Sequence, residues 1–448
     1  MKTKNILYSL LSGFVCCSLF ATLTSCDNFL DITPTGKVIA STGEEYRALL
    51  TNEYKYFPKD RHMTTVRTDE LQFSASTQSS DLDAYLDLWL WKDENPSPTT
   101  SYFSWRTYYH NIYIANYIIE KQNEITSASA ADISQLVGEA YMMRAYNLFL
   151  LVNLYAEPYT HCTPGTTRGV PMLLVADVNA IPRSSSVEEI YQQVLSDLAE
   201  AERRMNVDVW PAGQNYRFCL QGVKALRART YLYMGRWQDA LTAAKEVISA
   251  HGELVDLNVT GALLPDNYQS AENIVALEMF SSNLSTVINQ PSNAFINMYR
   301  TGDQRKTKYF KRETSTTWSL QKSDGYCSLR SGEAYLTAAE AACQLNDLTG
   351  AINDYLTPLW QKRLNATALA AEQTLVSTMT QAELLQEIYD ERARELAFEG
   401  HRWYDLRRTT QPALQRVYGG QTYTLTPEKY TMRFPTEAVE ANPEIERW

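Results

Sequence analysis

The stretch IYDERARELAFEGHRWYDLRR, residues 388–408, brings carboxylates and arginines together between aromatic side chains. Glu391, Glu395 and Glu399 recur at every fourth position, so they form one row on a helix. Paired carboxylates can act as general acid and base, as they do in glycoside hydrolysis. Carboxylates beside arginines can instead form a structural ion network. The spacing alone leaves both interpretations open.

The surrounding residues favour a structural role. The apolar positions of this stretch fall on one helix face, which we predict to be buried. Like charges four residues apart destabilise a helix, and local ion pairs offset part of this effect. These pairs are Glu391–Arg394, Glu399–Arg402 and Asp405–Arg408. The row still requires cations from elsewhere, for which Arg144 and Arg330 are candidates. We therefore expect a semi-buried ion network that joins the last helix pair to an earlier one.

Other catalytic and metal-binding patterns are missing from the sequence. It contains no glycine-rich nucleotide-binding pattern, no nucleophile elbow and no H-E-x-x-H pair. The histidines stand far apart, at His62, His110, His161, His251 and His401. We therefore expect no metal site, no cofactor and no enzymatic activity.

Aromatic residues in polar surroundings are better candidates for binding. The stretch YLDLWLWKDENP brings Trp89 and Trp91 together with Lys92, Asp93 and Asn95. A ring can cover the C–H face of a sugar while polar side chains bind its hydroxyl rim. Alternatively, two tryptophans two positions apart form one face of a core strand.

Two further aromatic candidates lie downstream. Trp318 lies in the polar run ETSTTWSL, and Tyr299 precedes it in the sequence. We include both as ligand-binding candidates. For Trp318, a binding platform and a core position remain open alternatives.

The composition permits a large packed core and argues against nucleic acid as a partner. The chain has 448 residues, 44% of them apolar, and a formal net charge of −11. Phosphate binding requires clustered lysines and arginines, and the sequence shows no basic stripe.

The N-terminus has the features of an export signal. Lys2 and Lys4 precede an apolar run, which ends in the small-residue sequence LTSC at Cys26. The cysteine context is similar to a bacterial lipobox, so we predict a signal peptide over 1–25 and acylation of Cys26. An uncleaved membrane anchor is the alternative. Residues 26–40 then form a polar tether.

The remaining cysteines show no metal or redox spacing. Cys162, Cys219, Cys327 and Cys343 are far apart and form no C-x-x-C pair. Cys219 and Cys343 fall on apolar helical stripes, so we predict that they are buried. The sequence does not decide whether any of the four forms a disulfide.

Helical periodicity dominates the rest of the chain. Ser186 and Glu189 form a capping box before an amphipathic run, and residues 138–155 are apolar on nearly all sides, as in a buried helix. Gly235 and Asn346 each stand at a turn between two helical runs, in a tetratricopeptide-like pattern. The sequence therefore predicts a mostly α fold of helix pairs.

Two long insertions interrupt this pattern. Residues 56–104 and roughly 250–325 are rich in polar and aromatic residues, and such insertions often carry function. NIVALEM at 273–279 and YTMRFP near the C-terminus are predicted short strands. We expect one body over 41–448, with halves at approximately 41–250 and 251–448.

Several motifs together resemble those of the SusD/RagB family of Bacteroidetes surface lipoproteins. They include SCDNFLDITPTG, WRTYYHNIYIANYIIEK, GEAYMMRAYNLFLLVNLYAEP, YRTGDQR, YDERARELAFEGHRWYDLRR and YTMRFPTEAVEANP, in this order. The likeness spans essentially the whole chain after the leader. SLRSGEAYLTAAEAA matches less well.

This resemblance implies a helical body of about four tetratricopeptide-like pairs with an irregular ligand-binding half. It also implies a lipid-anchored protein that faces the cell exterior on the outer membrane. Such a protein binds oligosaccharides and delivers them to a SusC-like TonB-dependent transporter. Peptides or glycopeptides are the alternative ligands, a glycoside hydrolase is a further alternative, and a structural support for the transporter is a third.

Overall fold

The structure is a computed structural model that describes residues 40–73, 79–94, 96–280, 290–322 and 325–445. Cys26 and Asn95 lie outside these residues, so acylation of Cys26 and ligand binding by Asn95 stay predictions. The helical body begins at Thr42. Among the residues described, no helix combines the length and the apolar character that a membrane span requires.

The body is mostly helical, as predicted. A π-helical turn, Ala351–Leu356, joins α12 to α13, and short 3-10 turns occupy Gln122–Glu124, Tyr159–His161 and Pro427–Tyr430. The α-helices are Gly43–Lys55 (α1), His62–Val66 (α2), Ser79–Trp89 (α3), Trp105–Lys121 (α4), Ala130–Tyr155 (α5), Val187–Arg204 (α6), Leu220–Tyr233 (α7), Trp237–His251 (α8), Asn293–Ile296 (α9), Arg305–Lys308 (α10), Ser331–Gln344 (α11), Leu348–Gly350 (α12), Thr357–Arg363 (α13), Ala366–Val376 (α14), Gln381–Glu395 (α15), Arg402–Arg408 (α16) and Thr436–Ala441 (α17).

The strands are short and form antiparallel two-stranded ladders, β1–β2, β3–β6, β4–β5 and β7–β8. They are Arg168–Pro171 (β1), Ser184–Ser186 (β2), Asn273–Val275 (β3), Phe310–Arg312 (β4), Trp318–Leu320 (β5), Leu329–Arg330 (β6), Gln415–Tyr418 (β7) and Gln421–Thr424 (β8). The predicted strand at 273–279 is confirmed over its first three residues. The predicted YTMRFP strand is wrong, because the Met432 amide bonds to the Leu154 carbonyl at the end of α5 instead of to a neighbouring strand.

Long helices that follow one another in the chain pack against each other. The contacts run from α4 to α5, from α5 to α6, from α7 to α8 and from α8 to α11. The predicted turns are confirmed: Gly235 lies between α7 and α8 with φ +69°, and Asn346 follows α11 with φ +64°. Glycine and asparagine tolerate this left-handed conformation better than other residues, which is why they end these helices.

The helix signals in the sequence act as predicted. Ser186 and Glu189 form a capping box at the start of α6, where the Ser186 hydroxyl accepts from the Glu189 amide at 3.2 Å. The predicted apolar face of α6 is buried, and α5 is buried on nearly all sides after its first turns. Cys219 and Cys343 are buried, as predicted. Both are free thiols, and so are Cys162 and Cys327.

The stretch 388–408 is two helices and not one. α15 ends at Glu395, and Phe398 and Gly400 then take φ values of +59° and +74° before α16 begins. A Cβ on Gly400 would lie 2.6 Å from Cγ of Arg61, so another segment also packs closely at this point. The predicted apolar face is buried apart from Tyr389, which is half-buried.

The glutamate row is fully buried and lies among cations from distant segments. Glu395 pairs with Arg330 at 2.9 Å and with Arg363 at 2.8 Å, and its second oxygen lies 3.0 Å from Arg305. Glu399 also pairs with Arg330. We call the following residues the glutamate network: Glu272, Asp303, Arg305, Lys322, Arg330, Arg363, Glu391, Arg394, Glu395 and Glu399.

Two predicted members do not belong to this network. Arg144 pairs with Asp197 of α6 at 2.6 Å, because α5 points this side chain towards α6 and away from the glutamates. Arg402 pairs with Asp69 at 2.8 Å and not with Glu399, because the break at Gly400 turns α16 away from the row. The local pairs of Arg394 and Arg408 do form.

Candidate functional site

Two neighbouring clefts, each of about 780 Å³, open beside the 90–104 segment. The first cleft is lined by Leu88, by residues between 92 and 103, by Tyr155 and by 432–437. The second cleft is lined by residues 90–94, by residues between 157 and 161 and by residues between 411 and 433. Lys92, Asp93, Glu94 and Arg433 line both, so they form a ridge between the two. The volume suits ligands of several rings.

The first cleft has an aromatic floor and one exposed ring. Phe103, Tyr155 and Phe434 are buried beneath it, and the Tyr155 and Phe434 ring centroids are 5.9 Å apart. Tyr102, next to Phe103 in the chain, is 70% exposed. Such a ring can stack on a flat apolar face of a ligand while its hydroxyl stays in water.

Polar groups surround this floor. The loop that carries Tyr102 is attached to α3, because the Ser97 amide and the Thr100 hydroxyl both donate to the Asp87 carboxylate, at 2.7 and 3.0 Å. On the ridge, Arg433 pairs with Glu94 at 2.7 Å. The rim therefore offers hydroxyls and charges of both signs.

The second cleft continues beyond the ridge. Tyr423, half-buried on β8, lies under the ammonium group of Lys92, which is 5.3 Å from the ring centroid. A hydrogen bond from the Thr426 hydroxyl lowers the pKa of Glu428, so this carboxylate is ionised at neutral pH. A general acid requires a raised pKa, and Glu428 does not have one.

Buried arginines hold the ridge in place. Arg67, fully buried, donates to both oxygens of Asp93 at 2.7 and 2.8 Å and stacks on the ring of Trp403. Trp91 adopts φ +55° and donates from its indole to the Arg67 carbonyl at 2.9 Å. A left-handed tryptophan is sterically unfavourable, so the surrounding contacts must maintain this backbone.

The structure buries Trp89 and Trp91, so neither offers an open ring face to a ligand, although Trp91 lies in the wall of the second cleft. They are 7% and 1% exposed, and the guanidinium of Arg416 lies between them, 4.7 and 4.3 Å from the ring centroids. The core alternative holds for both, although Trp89 ends a helix and does not lie in a strand. Their adjacent residues Lys92 and Asp93 do line both clefts.

Tyr299 likewise offers no open ring face to a ligand. Its ring is 2% exposed, and its hydroxyl donates to the Arg394 carbonyl at 2.8 Å, so it packs beneath α15. Trp318 lies half-buried on β5, near Lys306 and Arg312 and outside both clefts. Its role stays a prediction.

The sequence predictions missed Tyr102, Tyr423 and Arg433. Tyr102 lies in the run SPTTSYFSW, where a ring stands among hydroxyl side chains, and the same signal drew attention to Trp318. Tyr423 and Arg433 carry no such signal, because the fold alone brings residues 411–437 next to the ridge. Among the residues described, no cluster of His, Cys, Asp and Glu has the composition of a metal site.

A helical-repeat body with a polar and aromatic cleft on its irregular side is typical of a ligand-binding protein. The sequence matches the SusD family over residues 71–445, and the chain belongs to this family. The predicted family resemblance and the predicted fold are thereby confirmed.

Individual relatives agree with this assignment. SusD-like protein P38 of Formosa agariphila is 27% identical over 263 residues, which cover 56% of this chain and 46% of that protein. The matched region therefore spans just under half of the length of that relative.

Solved structures share the fold. A SusD superfamily protein from Bacteroides thetaiotaomicron has a TM-score of 0.74 at 21% identity and covers 91% of this chain and 99% of its own. A SusD-like carbohydrate binding protein from Bacteroides vulgatus has a TM-score of 0.68 at 16% identity, with coverages of 90% and 97%.

Proposed function

We propose that this chain captures nutrient oligosaccharides in the first cleft, at the cell surface, and delivers them to a SusC-like TonB-dependent transporter. The observation that carries the proposal is the exposed ring of Tyr102 beside an aromatic floor and a polar rim. Membership of the SusD family supports it, as does the carbohydrate-binding description of the Bacteroides vulgatus neighbour.

The chemistry of the cleft fits a sugar. The C–H face of a pyranose covers a tyrosine ring, and burial of that area contributes about 1–2 kcal/mol. The hydroxyl rim of the sugar exchanges its hydrogen bonds with water for bonds to Ser97, Thr100 and the ridge. Binding in the micromolar to millimolar range is sufficient, because a transporter held next to the protein raises the effective concentration of the sugar.

The predicted leader over residues 1–25 supports the proposed location. Acylation of Cys26 would hold the protein on the outer membrane, since each buried methylene of an acyl chain contributes about 0.8 kcal/mol. An acyl anchor attaches a protein to a membrane without a membrane-spanning segment. We propose binding and transfer without chemical conversion of the sugar.

The test is binding of glycans to the purified mature protein. A glycan array selects the oligosaccharide with the strongest signal, and calorimetry measures its affinity. We expect Tyr102→Ala to weaken this affinity about tenfold, which is the loss of roughly 1.4 kcal/mol of ring contact. Tyr56→Ala is the matched control, because Tyr56 is 59% exposed and lines neither cleft.

Three results would contradict parts of the proposal. An array without hits, combined with saturable binding of an oligopeptide library, would assign peptides as ligands. Equal affinities of Tyr102→Ala and wild type would place the sugar outside the first cleft. Release of reducing ends from the bound glycan would reveal a hydrolase.

A further inference from the structure

The second cleft takes no part in the proposed function, although it is as large as the first cleft and adjoins it. Each has a volume of about 780 Å³, and the four residues of the ridge line both. A ligand chain that leaves the first cleft across the ridge therefore meets the second cleft next. The ridge is the only part of the described chain that such a ligand has to cross.

The ridge has a fixed base and an adaptable top. Its base is the pair between Asp93 and the fully buried Arg67, in which two parallel hydrogen bonds hold the carboxylate. Its top is the pair between Glu94 and Arg433, whose side chains are 73% and 44% exposed. An exposed ion pair gains little over the hydration of its partners. The hydroxyls of a sugar can therefore replace this pair at small cost, while the base keeps its shape.

Lys92 places a hydrogen-bond donor between the two clefts. Its ammonium group lies 3.6 Å from the Asp87 carboxylate, which holds the loop that carries Tyr102 in the first cleft. The same group lies 5.3 Å from the centroid of the Tyr423 ring in the second cleft. An ammonium group has three N–H donors. A sugar chain that crosses the ridge thus passes a donor that belongs to both clefts.

Beyond the ridge, the second cleft repeats the chemistry of the first. Tyr423 supplies an aromatic ring, and Gln411 and Thr431 supply uncharged polar groups. Lys429 stands against Glu157 and Glu428, so neither sign of charge dominates this part of the cleft. A ring with uncharged polar groups around it suits the C–H face and the hydroxyl rim of a sugar better than it suits an ionic ligand.

We propose that the second cleft is a subsite for the same oligosaccharide, so that one chain spans the ridge and places sugar units at both Tyr102 and Tyr423. The protein then selects its ligands by length, because a chain that is too short to cross gains only the contacts of the first cleft. Once the first contact has formed, the second is intramolecular, so a spanning chain gains affinity. This inference rests on the proposed function, since it takes the first cleft as the primary sugar site.

The experiment measures affinity as a function of chain length. Calorimetry uses the oligosaccharide that the glycan array selects, in a series of increasing length that starts at the disaccharide. Tyr423→Val removes the ring of the second cleft, and valine preserves the strand preference of β8. Tyr418→Val is the matched control, because Tyr418 lies on the paired strand β7, is 37% exposed and lines neither cleft.

We expect the affinity of the wild type to rise by about tenfold or more at the length that crosses the ridge, and then to level off. Tyr423→Val should weaken the binding of these longer chains by about tenfold and leave the short chains unchanged. The unchanged short-chain affinity also reports that the variant is folded. Tyr418→Val should follow the wild type at every length, and Tyr102→Ala should weaken every length. The stoichiometry should be one long chain per protein.

The inference and the proposed function fail in different ways. A wild-type affinity that is independent of length, or equal affinities of Tyr423→Val and wild type for every length, would overturn the inference. The proposed function would stand in both cases if Tyr102→Ala still weakens binding. Two long chains per protein would make the clefts separate sites and would also overturn the inference. Binding that does not depend on Tyr102 at any length would instead contradict the proposed function.

Discussion

Glu70 is a fully buried carboxyl group that forms no ion pair with any residue the structure describes. Its two oxygens accept hydrogen bonds from the Phe398 amide at 2.7 Å and from the Thr68 hydroxyl at 3.1 Å. Burial raises the pKa of Glu70 to about 8, because a charge in this position would lose its hydration. The side chain therefore carries a proton at neutral pH and links the 68–70 segment to the break between α15 and α16.

This raised pKa has a predictable effect on stability. Between the ordinary pKa of 4.5 and the folded value of about 8, the folded chain holds a proton that the unfolded chain has lost. Stability therefore falls as the pH rises through this window. Glu70→Gln keeps an acceptor oxygen and has no proton to lose. We expect the variant to exceed wild type by on the order of 4 kcal/mol at about pH 8 and by less than about 1 kcal/mol at about pH 5.

Chemical denaturation as a function of pH measures this difference. Glu440→Gln, at an exposed position near the end of α17, should follow wild type at every pH and is the control. A difference between Glu70→Gln and wild type that does not change with pH would mean that Glu70 is ionised in the folded chain.

For a single residue, the sequence shows which chemistry the side chain can perform, but not which residues will surround it in the fold. Trp91 and Tyr102 are both aromatic residues in polar surroundings, and one is buried while the other is open. The difference arises from Arg416, more than 300 residues after Trp91, whose guanidinium occupies the space between Trp89 and Trp91. Nothing near residue 91 in the sequence indicates that this cation is present.

At the scale of secondary-structure elements, the glutamate network holds distant elements together. It connects α15 to α10, α13 and β6, and each of Glu391, Glu395 and Glu399 contacts at least two cations. Burial alone would raise the pKa of Glu395, but Arg363 and Arg330 hold it well below its usual range. Its contribution to stability is therefore complete above about pH 4.5 and is lost as the pH falls below it.

Glu395→Gln removes the central negative charge of the glutamate network. The positive charges of Arg305, Arg330 and Arg363 are then less well neutralised. We expect the free energy of unfolding at neutral pH to fall by about 3–5 kcal/mol, because an unpaired buried charge remains. Thermal and urea unfolding measure the loss. Glu313→Gln, an exposed carboxylate beside Lys311, should leave the unfolding midpoint unchanged. An unchanged midpoint for Glu395→Gln would refute the structural role of the row.

The elements were more predictable than their contacts. Capping at Ser186 and the turn residues Gly235 and Asn346 act over a few positions, so the sequence contains their whole cause. Arg144 and Arg330 are equally plausible partners for Glu395 in the sequence. Only the direction in which α5 presents Arg144 decides between them, and that direction depends on how the helices pack.

At the scale of the whole molecule, the predicted leader leads us to expect acylation at Cys26, which can be tested separately. In a host that acylates lipoproteins, we expect Cys26→Ser to lose incorporation of labelled fatty acid and to leave the outer-membrane fraction. Cys162→Ser should keep both, because Cys162 lies in the folded body. Metabolic labelling and membrane fractionation measure the two outcomes. Labelled Cys26→Ser would place the acyl group elsewhere in the chain.

The order of the network along the chain has a consequence for biosynthesis. Arg305, Arg330 and Arg363 leave the ribosome before Glu391, Glu395 and Glu399, which neutralise most of their charge. Asp303 and Glu272 are made earlier and pair with these arginines, but two carboxylates do not compensate three buried cations, so burial of the arginines stays costly until the C-terminal segment has been made. If the predicted leader directs export, this delay in forming the core would help to keep the chain unfolded until it reaches the export channel.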